Sequence, residues 1–212
     1  MSEYMKDWTL QAFSDQTASG EPVPGGGSIS ALAGALAASL TQMVAGLTLG
    51  KKKYADAAEE MEKIIPGMDA LRRDLLDDVT RDSASFDQFM QALAMPKETE
   101  AEKDARRAAM QDGLKAAVMT PLDVARKSAG VLPLARAVVE RGNATALSDG
   151  LVAAMMARSA VKGAAYNVRI NLNSIQDEEF VTRIRTEIGA LEREAQEQEE
   201  EILALAETLL EK

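Results

Sequence analysis

Apolar residues recur at helical spacing along almost the whole chain, and no useful window sustains the alternation of a strand. The pattern predicts a first helix from about Thr9 to Ala18, ended by the loop Ser19-Gly-Glu-Pro-Val-Pro-Gly-Gly-Gly. Ser28 sits where an N-cap belongs and opens a second helix reaching Gly50, before Lys51-Lys52-Lys53. A third helical region runs from about Asp56 to Met95, with Pro66-Gly67 as its kink or break. Its stripe passes through Met61, Met68, Leu71, Leu75, Val79, Phe86, Phe89, Met90 and Leu93, and Pro96 stops it. Thr99 and Glu102 form a capping box for a fourth helix, which Pro121 kinks or divides. Val131 to Arg141 reads as a short helix stopped by Gly142. Ser148 caps the next, which runs through Asn167 and Asn171 to about Ile175, and Asp177 caps a long last helix striped from Phe180 to Leu209. Helix follows helix with no internal repeat, so the fold class is all-α, in one domain over residues 1–212.

The second helix needs a solvent assigned to it. Ser28 to Gly50 carries no charge and, at about 1.5 Å per residue, is long enough to cross a bilayer. More than half of it is Ala, Gly, Ser or Thr, which are poorly lipophilic. The favoured reading is a central Ala/Gly-rich helix buried on all sides of a soluble bundle, its small residues admitting close neighbours; a GxxxG-like association in lipid is the alternative.

Composition narrows the chemistry. Aromatic residues are only 4% of the chain, so core volume comes from Ala, Leu, Met, Val and Ile. With no His, an imidazole base, a Ser-His-Asp triad and a His-ligated metal are excluded; with no Cys, so are thiolate nucleophiles, disulfides and Cys zinc sites. No metal is expected. Carboxylates, Lys, Tyr, hydroxyls, amides and backbone N–H groups remain. With 24 Lys plus Arg against 34 Asp plus Glu, the net charge of −10 argues against nucleic acid or an anionic membrane as partner. The missing cysteines suit a reducing cytoplasm, and the start Met1-Ser-Glu-Tyr-Met-Lys lacks a signal-peptide pattern.

Four places hold candidate chemistry. Asp82 falls at helical spacing on the third stripe, where a carboxylate is either ion-paired to a neighbouring helix or a desolvated acid/base or counter-charge for a cationic ligand. Pro24-Gly25-Gly26-Gly27-Ser28 enters a helix N-terminus, a plain turn or a place where backbone closely approaches a ligand. Lys51-Lys52-Lys53 is a solvated helix end or a receiver of an anionic tail. From Gly142 to Asn171, the turn residues Asn143, Ser148 and Asp149 precede Asn167 and Asn171, which lie one turn apart as interhelical clamps or ligand contacts. The acidic run Glu197 to Glu201 reads as a solvated face.

Five elements taken together resemble the cyclodeaminase/cyclohydrolase family of folate one-carbon enzymes. They are Pro-Val-Pro-Gly-Gly-Gly-Ser (22–28), Leu-Thr-Leu-Gly-Lys-Lys-Lys-Tyr (47–54), Asp82 with Phe86, Gly142-Asn143 with Ser148-Asp149, and Asn167-Val-Arg-Ile-Asn171. One departure is Ser-Asp-Gly-Leu (148–151), where many members read Ser-Asp-Ala-Gly. The resemblance implies an up-and-down helical bundle that dimerises and binds a tetrahydrofolate derivative as substrate. It implies hydrolysis of 5,10-methenyltetrahydrofolate to 10-formyltetrahydrofolate, or, as the alternative, ring closure of the 5-formimino compound with loss of ammonia. A non-catalytic helical interaction module is the competing class, motivated by the amphipathic last helix. On the resemblance, Asp82 moves the proton or faces the cationic bridge, with Asp149 second to it and Lys53 as the complementary group. Pro24, Gly25, Gly26, Gly27 and Ser28 give the ligand backbone access, Lys51 and Lys52 favour its glutamate tail, and Asn143, Ser148, Asn167 and Asn171 contact the pterin or orient water.

Overall fold

Eight α-helical segments carry the periodic pattern in the computed structural model, which describes residues 4–84 and 87–210. They are α1 (Leu10–Thr17), α2 (Gly26–Thr48), α3 (Ala58–Ala84), α4 (Asp87–Leu93), α5 (Glu100–Ala129), α6 (Leu132–Arg141), α7 (Leu147–Leu172) and α8 (Glu178–Leu210). Short 3-10 turns occur at Met5–Asp7, Lys52–Ala57 and Ala144–Ala146, and no strand occurs among the described residues. Phe86 lies outside them.

The arrangement centres on α2, which packs on α3, α7 and α5. Small residues make that approach possible. A Cβ on Gly34 would fall 2.4 Å from Ser128 Oγ of α5, and one on Gly163 of α7 would fall 2.3 Å from Ser30 Oγ of α2. Helices this close bury Ala31, Ala38, Ala153, Ala157 and Ala164 completely, so the core is filled by backbone proximity as much as by side-chain bulk. α2 and α7 run antiparallel: Gly26 lies against Asn167, while Asn143, just before α7, donates to the Leu47 carbonyl at the far end of α2.

Several sequence expectations change. α2 starts at Gly26 with Gly25 as N-cap, which places Ser28 inside the first turn. Ser148 is likewise inside α7, after Ala146 as N-cap, and Asn143 caps the 3-10 turn instead. α2 is not enclosed on every side, since Ile29, Leu36, Met43 and Leu47 are exposed. Met90 is exposed too. Glu199, read as part of a solvated run, is buried and paired with Arg158 at 2.6 Å. Thr99 and Glu102 form the expected capping box.

Pro121 neither divides nor stops α5, and the reason lies on α7. Proline has no N–H for the carbonyl four residues back, Ala117. Asn171 supplies the missing donor from its side-chain amide, 3.2 Å from the Ala117 oxygen. Asn171 is therefore an interhelical clamp in the folded chain. Asn171→Leu leaves that carbonyl, on a residue only 2% exposed, without its side-chain donor. A loss of about 1–3 kcal/mol in urea unfolding is expected, and an unchanged midpoint would refute the clamp.

Candidate functional site

The first turn of α2 has no side-chain cap of its own, because its N-cap is Gly25. Its free N–H groups need acceptors from elsewhere. Asp82, near the end of α3, provides one: its carboxylate accepts from the Ser28 backbone N–H and lies against Gly27. The contact is so close that a Cβ on Gly27 would fall 2.1 Å from Asp82 Oδ1. Gly27 is thus required for space, whatever its conformational freedom.

Ser28 completes the arrangement. Its hydroxyl is 2.9 Å from the Val79 carbonyl oxygen, 3.1 Å from Asp82 Oδ2 and 3.2 Å from Ser83 Oγ. The single hydroxyl proton serves one acceptor at a time. An ionised Asp82 accepts it; a protonated Asp82 donates to Ser28 Oγ while Ser28 turns its proton to Val79. Both protonation states are therefore hydrogen-bonded.

Burial pushes the Asp82 carboxyl above its ordinary range, the Ser28 hydroxyl and N–H pull it back, and the nearby Asp78 carboxylate pushes it up again. Asp78, one turn earlier, was not anticipated from sequence. It is 1% exposed and pairs with Lys127 at 2.7 Å and Arg81 at 3.1 Å. Burial also raises its affinity for a proton, against the Lys127 hydrogen bond. Asp78 thus carries a buried ion pair on this face of α3, and Asp82 is the carboxylate set on the helix start. Spacing held the signal, because Leu75, Asp78 and Asp82 follow a 3–4 helical step.

Asn167 lies on the other side of the same turn. Its amide donates to the Gly163 carbonyl at 2.9 Å, and its Nδ2 is 3.4 Å from where a Cβ on Gly26 would be. Buried Pro24 follows a cis Val23–Pro24 bond and leads into this turn. Gly25, Gly26, Gly27, Ser28, Asp82 and Asn167 therefore converge on the N-terminal end of α2.

The remaining candidates gather at the opposite end. After α2, Gly50 turns the chain at φ 74°, a left-handed conformation that favours glycine, and Lys51, Lys52 and Lys53 follow, all exposed. A cleft of about 300 Å³ is lined there by Gly50, Lys51, Lys52 and Tyr54. Lys53 lies over the Tyr54 ring, and the Tyr54 hydroxyl accepts from the Ala144 N–H at 3.0 Å. Asn143 is buried and occupied with structure, donating to Leu47 and accepting from Thr145. Exposed Ser148 and half-buried Asp149 are in the first turn of α7 beside it. The 23 residues of α2 separate the two groups by about 33 Å. Lys53 and Asp82 of the chain therefore lie at opposite ends of α2. Among the described residues there is no cluster of acidic, His or Cys side chains suited to a metal.

A partly buried carboxyl of raised proton affinity, beside backbone N–H groups and a hydroxyl, can exchange a proton with a bound reactant and face a developing positive charge. Comparison with known proteins narrows this general chemistry. The chain is 38% identical to methenyltetrahydrofolate cyclohydrolase of Methylorubrum extorquens over 187 residues, covering 88% of this chain and 90% of that protein. It is 34% identical to formimidoyltransferase-cyclodeaminase of Sus scrofa over 189 residues, which are 89% of this chain and only 35% of that longer protein. The crystal structure of formiminotetrahydrofolate cyclodeaminase from Thermotoga maritima superposes with a TM-score of 0.86 at 31% identity, covering 97% of this chain and 98% of that one. A family model described as formiminotransferase-cyclodeaminase matches residues 9–190, and the chain belongs to that family.

Proposed function

We propose that this protein is a methenyltetrahydrofolate cyclohydrolase, an enzyme of folate one-carbon chemistry that works as a homodimer in the cytoplasm, with residues 1–212 as one catalytic domain. The observation that carries the mechanism is the Asp82 carboxyl held against the first turn of α2 with its proton affinity raised. The similarity across nearly the full length of the Methylorubrum cyclohydrolase supports the choice of reaction.

The substrate carries an amidinium-like carbon between N5 and N10. Asp82 takes a proton from water as the oxygen attacks that carbon, and its negative charge favours the cation in the bound state. The tetrahedral carbon then carries a hydroxyl. Asp82 returns the proton to N5 as the carbon–N5 bond breaks, and the hydroxyl proton leaves to solvent as the formyl carbonyl forms on N10. One cation and one water thus give the formyl product and one proton. Ser28 holds the carboxyl in either state, and Asn167, across the turn, faces the same space to orient water or the pterin edge. Lys51 and Lys52 favour the anionic glutamate tail.

A second reading has its own support. The family model and the Thermotoga structure point to the cyclodeaminase, in which N10 attacks the formimino carbon and ammonia leaves. Its tetrahedral carbon between two nitrogens suits the same carboxyl. Supplying both folates to purified protein separates the readings. Methenyltetrahydrofolate is expected to be consumed well above the buffer rate, with little closure of the formimino compound. The reverse pattern makes the protein a cyclodeaminase, and no turnover of either ends the folate proposal.

A further inference from the structure

Asp78 is a buried carboxylate that the proposed reaction does not use. It lies one helical turn before Asp82 on α3, a step that sets side chains about 5–6 Å apart. Lys127 of α5 donates to its Oδ2 at 2.7 Å, and Arg81 reaches its Oδ1 at 3.1 Å. Arg81 is shared, since the same nitrogen is 3.1 Å from Asp123 Oδ2. Asp123 in turn holds Arg126, which pairs with Glu187 of α8. Stability does not account for such a buried pair, because apolar residues of similar volume commonly do as well or better.

The pair is lopsided toward the interior. The Asp78 side chain is 2% exposed, against 23% for Lys127 and 48% for Arg81. Water screens the two cations more than the buried anion, so the interior beside them is net negative. Asp82 is the titratable group placed there. Around it, α2 carries no charge from Gly26 to Thr48 and presents Ser28, while α7 presents Asn167 across the turn. The N-terminal turn Met5–Asp7 brings Asp7 and Lys6, with Lys6 held on Asp77, and lays Met5 on Thr80 and Ser83. The turn Lys52–Ala57 leads into the other end of α3. From α5 come Lys127 and Asp123, both engaged in the Asp78 network. Burial raises the proton affinity of Asp82, Ser28 opposes it, and Asp78 adds to it.

Resting on the folate reading above, we infer that Asp78 is a positioning residue for the reaction: Lys127 and Arg81 hold it ionised in the interior, and its charge, one turn away, makes Asp82 a stronger base toward the attacking water. It acts through Asp82 and touches no substrate. The cations are as necessary as the anion. Without them the two neighbouring carboxylates could not both be ionised, and Asp82 would meet the water already protonated. The pair thus supplies enough negative charge to strengthen the base and too little to discharge it at neutral pH.

Asp78→Asn keeps the shape and removes the charge, and two readouts follow Asp82 in it. Carbon-13 NMR of protein labelled at its aspartate carboxyls titrates Asp82 directly, its signal identified by loss in Asp82→Asn. The acid limb of kcat/KM for methenyltetrahydrofolate reports the same group in turnover. Both midpoints are expected to fall by about one pH unit. Activity then persists further into acid, while turnover on the plateau drops because a weaker base takes the proton less readily. The double variant Asp78→Asn with Lys127→Met strands neither partner of the Asp78–Lys127 pair, so it is expected to fold even where the single variant is unstable. The same downward shift is expected there. A double variant that titrates as the native protein does overturns the proposal, since any shift in the single variant then belongs to the stranded lysine. A titration that moves while the acid limb stays in place overturns it too, because the altered basicity of Asp82 then has no part in turnover. Failure of the native enzyme on both folates would instead strike the proposed function, and the NMR titration would still decide whether Asp78 sets Asp82.

Discussion

Asp82→Asn is expected to lower turnover of methenyltetrahydrofolate by about 10²–10⁴-fold, the usual worth of a positioned proton carrier, without unfolding the protein. The amide keeps an oxygen to accept the Ser28 N–H, so the first turn of α2 stays capped. It loses the proton exchange and the negative charge. The pH behaviour distinguishes this from a merely structural loss. In the folded chain Asp82 holds its proton more tightly than in the unfolded chain. Between the ordinary value of 3.8 and its higher folded value, the native state therefore binds more protons, and stability falls as pH rises. Above the folded value the full cost of the buried charge is present. Asp82→Asn removes that cost, so its thermal midpoint at neutral pH is expected to equal or exceed the native one, with the difference shrinking as the pH approaches 3.8. Activity lost with stability kept or gained marks a group retained for chemistry. Near-normal turnover, or a midpoint well below native at neutral pH, would remove Asp82 from this role.

Much of the fold was legible because helix periodicity and capping are local. Thr99 and Asp177 cap helices as their sequence neighbourhoods predict. Pro121 does not divide α5, and the donor that satisfies the carbonyl it frees comes from Asn171, 50 residues further on. The glycine turn looked ordinary by spacing, and its close contact with Asp82 is a tertiary fact no local pattern carries. Asp78 shares the helical step of Leu75 and Asp82, but the Lys127 and Arg81 partners that make a buried carboxylate tolerable there are tertiary. The candidate list for the site contained two populations. The predicted second helix already separates the glycine turn from the lysines; that Asp82 and Asn167 join its start and Asn143 its end is seen only in the fold. The exposed row on α2 was equally invisible, since an uncharged Ala-rich helix reads the same whether neighbours cover it on three sides or four.

The closeness of Gly27 to Asp82 sets up a sharp contrast between adjacent glycines. Both Gly26 and Gly27 are helical, where Ala is favoured over Gly by about 1 kcal/mol. By propensity alone, Ala at either position stabilises the protein. At Gly26 the added methyl meets only the Asn167 amide, Nδ2 at 3.4 Å and Oδ1 at 3.9 Å, so Gly26→Ala is expected to leave the thermal midpoint unchanged or raised. At Gly27 the methyl falls 2.1 Å from Asp82 Oδ1 and 2.5 Å from both Oδ2 and Cγ. The carboxyl must move, and with it go the Ser28 hydrogen bonds that fix it at the helix start. The strain is expected to cost about 1–3 kcal/mol, outweighing the propensity gain. A displacement on the order of 1 Å at the proton carrier lowers turnover by about 10²-fold. Gly27→Ala is therefore expected to lose both stability and activity, whereas Asp82→Asn loses activity alone, and joining the two tests the cause. In the double variant Gly27→Ala with Asp82→Ala, the clash is gone, so much of the lost stability should return while turnover stays low. Native activity and midpoint in Gly27→Ala would mean that catalysis does not depend on a carboxyl fixed at this helix start.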